Sequence, residues 1–199
     1  MKKIAGSLIF LLLLHAVVMG QDNSDDIQPP TLGVNFTLHD FGSAAAIRAT
    51  SLSSALNSHQ FGKIKEMSSG LQINYLNGIS RHLDFSGTLG GAFLSYPVRS
   101  GQSFSTDHLL AEATASVRGK MTPNSYWVSP YLQAGVGAST YNGYYGAFIP
   151  LGAGMQVNLF NQSYLLINMQ YRIPVTQTTN YHFLFSVGFA GKIAESKHH

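Results

Sequence analysis

The chain of 199 residues has no cysteine, few charges, and no long apolar run after its first twenty positions. Each absence excludes something. Without cysteine there are no disulfides, no thiol catalysis and no Cys-based zinc site. Charged residues make up 11% of the chain, against about 25% in an ordinary soluble domain. A disordered chain would carry more charge, a collagen would space its glycines regularly, and a helical membrane protein would repeat apolar runs of about 20 residues. The length suits one domain. Yet the mean hydropathy is only +0.06, so low charge does not mean an apolar chain.

The first segment explains part of this. Lys2 and Lys3 precede an apolar stretch from Leu8 to Leu14, then Ala16 to Met19 and Gly20. That is the layout of a Sec-type secretory signal, so residues 1–20 are expected to be removed before Gln21. The absence of cysteine at this junction excludes a lipid-modified N-terminus. Formal charge is +3, with 12 basic residues against 9 acidic ones; losing two lysines brings the mature chain to about +1. Lys and Arg are also sparse and scattered, so nucleic acid is not an expected partner. Residues 21–30 are polar and end in Pro29 and Pro30, which reads as a flexible periplasmic leader. Residues 194–199 read as a short tail.

From Thr31 the dominant pattern has period two, the mark of strands with different chemistry on their two faces. In the first of eight such segments, Leu32, Val34, Phe36 and Leu38 alternate with Gly33, Asn35, Thr37 and His39. In the fourth, Ala111, Ala113, Ala115 and Val117 interleave with Glu112, Thr114, Ser116 and Arg118. In the last, Tyr181, Phe183, Phe185, Val187 and Phe189 oppose His182, Ser186 and Gly188. No apolar face carries a charge, and each segment is about as long as the roughly 9 to 11 residues a tilted strand needs to cross a bilayer. Connections alternate in length. Residues 40–67 and 95–106 form long ones, 77–82 and 120–125 short ones, and 140–147 is expected to be longer than 160–163. Aromatic residues gather at the segment ends: Tyr75, Tyr126, Trp127, Phe160 and Tyr164 on the short-turn side, Phe93, Tyr96, Tyr141, Phe148 and Tyr181 on the long-loop side. Two girdles suit two membrane interfaces.

The expected fold is therefore all-β: an eight-stranded antiparallel up-and-down transmembrane barrel over residues 31–193. A soluble barrel of this size would show a charged face to water. Here the polar face consists of Gly, Ser, Thr, Asn and Gln, which suits a narrow interior. The bacterial outer membrane is the expected location, with its lipid, lipopolysaccharide and neighbouring proteins as partners. An eight-stranded lumen is filled by side chains. Inward glycines at 90, 135, 137, 152, 154 and 188 leave room for longer neighbours, and the interior charges need partners. Asp84 and Arg118 fall at the turn ends of adjacent strands, close enough to pair, while Glu112 and Arg172 fall nearer the loop end and can meet across the lumen. These four make either a fixed polar core, which is favoured, or a gate passing small ions.

Three stretches point to a family. Leu32-Gly33-Val34-Asn35-Phe36-Thr37-Leu38-His39-Asp40-Phe41, the run Ala44-Ala45-Ala46-Ile47-Arg48-Ala49, and Leu76-Asn77-Gly78-Ile79-Ser80-Arg81-His82-Leu83-Asp84-Phe85 resemble the N-terminal barrel of OmpA-like outer-membrane proteins. The resemblance spans about residues 31–193. It implies periplasmic termini, a structural or adhesive role, and at most a narrow channel. Many members continue into a peptidoglycan-binding domain; this sequence ends soon after the eighth strand, so wall anchoring is not expected.

Catalytic and metal-binding alternatives find weaker footing. Small outer-membrane barrels include lipid-modifying enzymes, and His39, Asp40, Ser103, Ser105, Asp107 and His108 supply the residue types of a nucleophile, a base and an orienting acid. Serine is common in every loop, however, and polar headgroup contacts are the simpler reading, so no enzyme activity is expected. The histidines look scattered, with no i, i+4 pair or alternating His/carboxylate cluster, so neither metal nor cofactor is expected. The first long connection is the most individual feature. Ser43 is a candidate cap for a short helix through the Ala-rich run, and Arg48, Lys63 and Lys65 are candidates for contact with lipopolysaccharide phosphates or a neighbouring protein.

Overall fold

The computed structural model describes residues 26–59, 61–96, 107–159 and 163–193. The signal segment, the tail and Phe160 lie outside these. Eight strands run β1 (Thr31–Asp40), β2 (Ser68–Gly78), β3 (Leu83–Leu94), β4 (His108–Lys120), β5 (Val128–Tyr141), β6 (Tyr144–Leu159), β7 (Ser163–Pro174) and β8 (His182–Lys192). Each pairs antiparallel with its sequence neighbours, and β1 pairs with β8, from Thr31 opposite Lys192 to Asp40 opposite Phe183. The result is a closed up-and-down barrel with no free edge.

Alternation sets the two surfaces. Leu32, Val34 and Phe36 of β1 face outward, and Asn35, Thr37 and His39 between them are buried inside. The same parity holds in β4, where Thr114, Ser116 and Arg118 are buried while Ala113, Ala115 and Val117 are exposed. Charged residues of the strands lie inside, apart from Asp40 at the end of β1, which caps a helix at the rim, and Lys192 at the end of β8. Leu71, Leu89, Val136 and Phe189 belong to the continuous apolar exterior. The closed ladder pairs backbone groups between neighbouring strands, as a bilayer-spanning barrel requires.

Four expectations are corrected. First, residues 140–147 are no long loop: β5 runs to Tyr141 and β6 starts at Tyr144. Asn142 and Gly143 turn the chain with φ of 47° and 80°, the left-handed pair of a two-residue hairpin. The Asn-Gly dipeptide carries that instruction, and the strands extend past the barrel rim together.

Second, the aromatic girdles are thinner than expected. Phe93 and Trp127 face outward, but Tyr96, Tyr141, Phe148 and Tyr164 are buried within 4% exposure. Position near a strand end does not choose the face; parity does, and one residue of shift reverses it.

Third, the helix α1 (Phe41–Ala49) is capped by Asp40, not Ser43. The Asp40 carboxylate accepts from Ser43 N at 2.8 Å and from Ser43 Oγ at 2.5 Å. Ser43 Oγ in turn accepts from Gly62 N at 2.8 Å, which ties the end of the connection to the helix start. A second short helix, α2 (Leu52–Asn57), follows, capped by Ser51.

Fourth, the part of the leader within the described residues is packed. Asp26 and Gln28 are 1% exposed. Gly78 N donates to Gln28 O at 2.8 Å, Asn124 N to Asp26 O at 3.1 Å, and Ser125 Oγ to Asp26 Oδ1 at 2.5 Å. Two prolines prevent strand pairing here but not adhesion, so residues 26–30 cross the turn end of the barrel as a strap.

Candidate functional site: the two ends of the lumen

Side chains pack the lumen down to a cavity of about 10 Å3 beside His39 and Glu112, and its polar groups sort by height. In its middle, neutral pairs bridge neighbouring strands. Asn74 Nδ2 donates to Asn35 Oδ1 at 2.9 Å, the hydroxyls of Thr88 and Thr114 lie 2.5 Å apart, and Asn168 Nδ2 donates to Gln133 Oε1 at 3.3 Å. Charges sit at the two ends.

At the turn end, Lys120 Nζ lies 3.0 Å from Asp84 Oδ2, with both side chains fully buried. Arg118 is the cross-strand neighbour of Asp84, but its guanidinium lies over the Tyr131 ring at 4.6 Å. The expected Asp84–Arg118 pair is thus corrected. β4 continues to Lys120, two residues below Arg118 on the same face, and the flexible ammonium reaches the carboxylate while the planar guanidinium stacks. An amide network closes this end. Gln156 Nε2 donates to Gln28 Oε1 at 2.8 Å and to Asn124 Oδ1 at 2.7 Å, and Asn124 Nδ2 donates to Tyr164 Oη at 3.1 Å.

At the loop end, Arg172 of β7 and Glu112 of β4 form a buried ion pair across the lumen. The Arg172 guanidinium lies over Phe148 at 4.6 Å. Both ends therefore repeat one device: an arginine on an aromatic ring, with that ring on the glycine opposite it in the next strand. Phe148 covers Gly137 and Tyr131 covers Gly154, where a β-carbon would collide with the ring.

Above the pair, His39 and His182 face each other with ring centroids 5.5 Å apart. His182 Nδ1 lies 3.0 Å from Asn180 O, and the Phe41 ring lies 4.6 Å from the His182 ring. Tyr96 and Tyr141 complete the cover. Tyr96 N donates to Tyr141 Oη at 3.1 Å, Tyr141 Oη donates to Leu94 O at 2.9 Å, and Asn180 N donates to Tyr96 Oη at 2.9 Å. Burial pushes the Tyr96 phenol up to about 12, so it stays a neutral partner in this cover.

The structure separates the other expected residues. Asp40 is a helix cap, His39 lies in the lumen, and His108 packs on Tyr141 with centroids 5.8 Å apart. Ser103 and Ser105 lie outside the described residues. Arg48 stacks on Tyr181 at 3.9 Å, Lys63 pairs with Glu66 at 3.2 Å, and Lys65 is exposed. One grouping was invisible in the sequence. His39, Glu112 and His182, from β1, β4 and β8, place one donor atom each within 4.8 Å of one another. Sequence spacing hides it, because β1 and β8 pair only when the barrel closes and β4 faces them across the lumen. The usable signal was inward parity at one height.

No family model matches the chain, and no curated protein matches it in sequence. Among solved structures it is similar to Neisserial surface protein A, at 14% identity over 83% of this chain and 98% of that one, with a TM-score of 0.55. It is also similar to the N-terminal β-barrel domain of Pseudomonas aeruginosa OprF, at 8% identity over 81% and 96%, with a TM-score of 0.50. The fold of this chain is that of the small eight-stranded outer-membrane β-barrels, the fold of the OmpA-like barrel domain.

Proposed function

We propose that the protein is a sealed outer-membrane barrel that reinforces the membrane and holds the β1–β2 connection at the outer surface as a contact element. The observation that carries this reading is the packed lumen: among the described residues, charges at both ends are paired or stacked, an amide network lies across one end and a tyrosine pair across the other. A narrow channel would need a continuous wet path, and the amide network below and the tyrosine cover above interrupt it. Surface contact is supported by the order of the first connection. Asp40, Ser43 and Gly62 brace α1 against the rim, and that brace presents exposed Arg48, Lys63 and Lys65 on a rigid base. Lipid contacts the apolar exterior, and lipopolysaccharide phosphates or a neighbouring outer-membrane protein are the partners that three basic residues at this rim fit.

The absence of cysteine makes the test direct. In intact cells, a membrane-impermeant maleimide should label Lys65→Cys and should label Ile79→Cys, in the β2–β3 turn, only after the outer membrane is permeabilised. Labelling of Ile79→Cys alone in intact cells, or equal labelling of both, would sink the proposal.

A further inference from the structure

We propose that His39, Glu112 and His182 form a binding site for a divalent transition metal, with Zn2+ the ion that fits best. Two imidazoles and one carboxylate are a recurrent donor set for zinc, which leaves a fourth position for water. All three are buried and come from strands held in register, so the site is built on rigid elements.

The hydrogen bonding of the rings supports the assignment. His39 Nδ1 and His182 Nε2 are buried polar atoms with no hydrogen-bond partner. Leaving such atoms unsatisfied is costly, and a metal would satisfy both. His182 Nδ1 faces Asn180 O at 3.0 Å. A proton on Nδ1, donated to that carbonyl, leaves the lone pair on Nε2, the orientation in which ligating histidines are usually held. Glu112 gives Oε2 to Arg172, and Oε1 remains for the ion.

A small void lies beside two of the three donors, and a short closure would complete the site. Beside His39, Glu112 and Arg172 is a cavity of about 10 Å3, also lined by Thr37, Gln72 and Thr88, enough for one water. Bonds of about 2.1 Å at tetrahedral angles put donor atoms about 3.4 Å apart. The donors here lie within 4.8 Å, so binding requires a closure shared among three side chains. The bound ion would tie β1, β4 and β8 together across the lumen.

Arg172 opposes this, since its charge lies beside the ion and it competes for Glu112. That conflict supplies a discriminating test. Folded protein, identified by heat-modifiable gel migration in detergent, is stripped with chelator and titrated with Zn2+, and with Co2+ as the optical probe. The wild type should bind one more equivalent than the His39→Gln/His182→Gln variant and give a Co2+ visible spectrum that the variant lacks. His198 and His199 remain in both proteins and cancel. Arg172→Met, which removes a positive charge from beside the ion and frees Glu112, should bind about tenfold more tightly. Should the double variant fail to fold, thermal unfolding decides: Zn2+ should raise the midpoint of the wild type and of Arg172→Met, but not of His39→Gln. Equal stoichiometry in wild type and double variant, or no change in affinity with Arg172→Met, would overturn the site.

Discussion

The two ends of the lumen use the same parts for different ends. Each has an arginine on a ring and a ring on a glycine. At the turn end two buried carboxylates, Asp84 and Asp26, face three cations, Lys120, Arg118 and Arg81, and the chain's own residues 26–30 fold over this end with an amide network. At the loop end one carboxylate faces one cation, two histidines stand above them, and aromatic rings form the cover. The turn end has a spare cation; the loop end does not. Redundancy should therefore make the turn end tolerant of single substitutions and the loop end sensitive to them.

The largest effect expected is at Arg172. Arg172→Ala strands the Glu112 carboxylate in the lumen, and breaking a buried pair in this way costs about 3–5 kcal/mol. Lys120→Ala should cost about 1–3 kcal/mol, because Arg118 is the cross-strand neighbour of Asp84 and can swing to it. Urea unfolding in detergent or lipid reads both, and a larger loss for Lys120→Ala would break the comparison.

Next is Gln156→Ala, which deprives Gln28 Oε1 and Asn124 Oδ1 of their donor. A loss of about 1–3 kcal/mol is expected, with faster hydrogen exchange at Gly78, whose amide is held by the strap. Unchanged exchange there would show that the strap holds without the network.

Tyr96→Phe removes one acceptor from the cover and should cost about 1 kcal/mol. Its pH dependence is distinctive. Burial raises the Tyr96 phenol from 10.0 to about 12, so its stabilising share is complete below about pH 10 and is lost as pH rises toward about 12. The difference between wild type and Tyr96→Phe should shrink over that window. The smallest effect belongs to Arg48→Ala, where loss of an exposed stack on Tyr181 should cost about 0.5 kcal/mol.

Much of the barrel was readable because its physics is local. Alternation along Thr31–Asp40 or His108–Lys120 fixes which face meets lipid, and parity put Glu112 and Arg172 in the lumen at similar heights. Failures came where local signals compete or where contacts are long-range. The Asn142-Gly143 turn was a local signal outweighed by a general pattern of loop lengths. Asp40 and Ser43 are both capable caps, and only the strand's end decides between them. Lys120 looked like turn sequence because nothing local says that β4 continues to it. The packing of Asp26 and Gln28 against β2 and β6, and the meeting of His39, Glu112 and His182, depend on closure of the barrel. No window along the chain contains that closure.

The central claim is that this barrel is closed. Single-channel recording of the refolded protein in planar bilayers tests it most directly. The filled lumen predicts a silent bilayer once insertion has been confirmed by the heat-modifiable form. Reproducible ohmic steps, altered by Arg172→Ala, would contradict it.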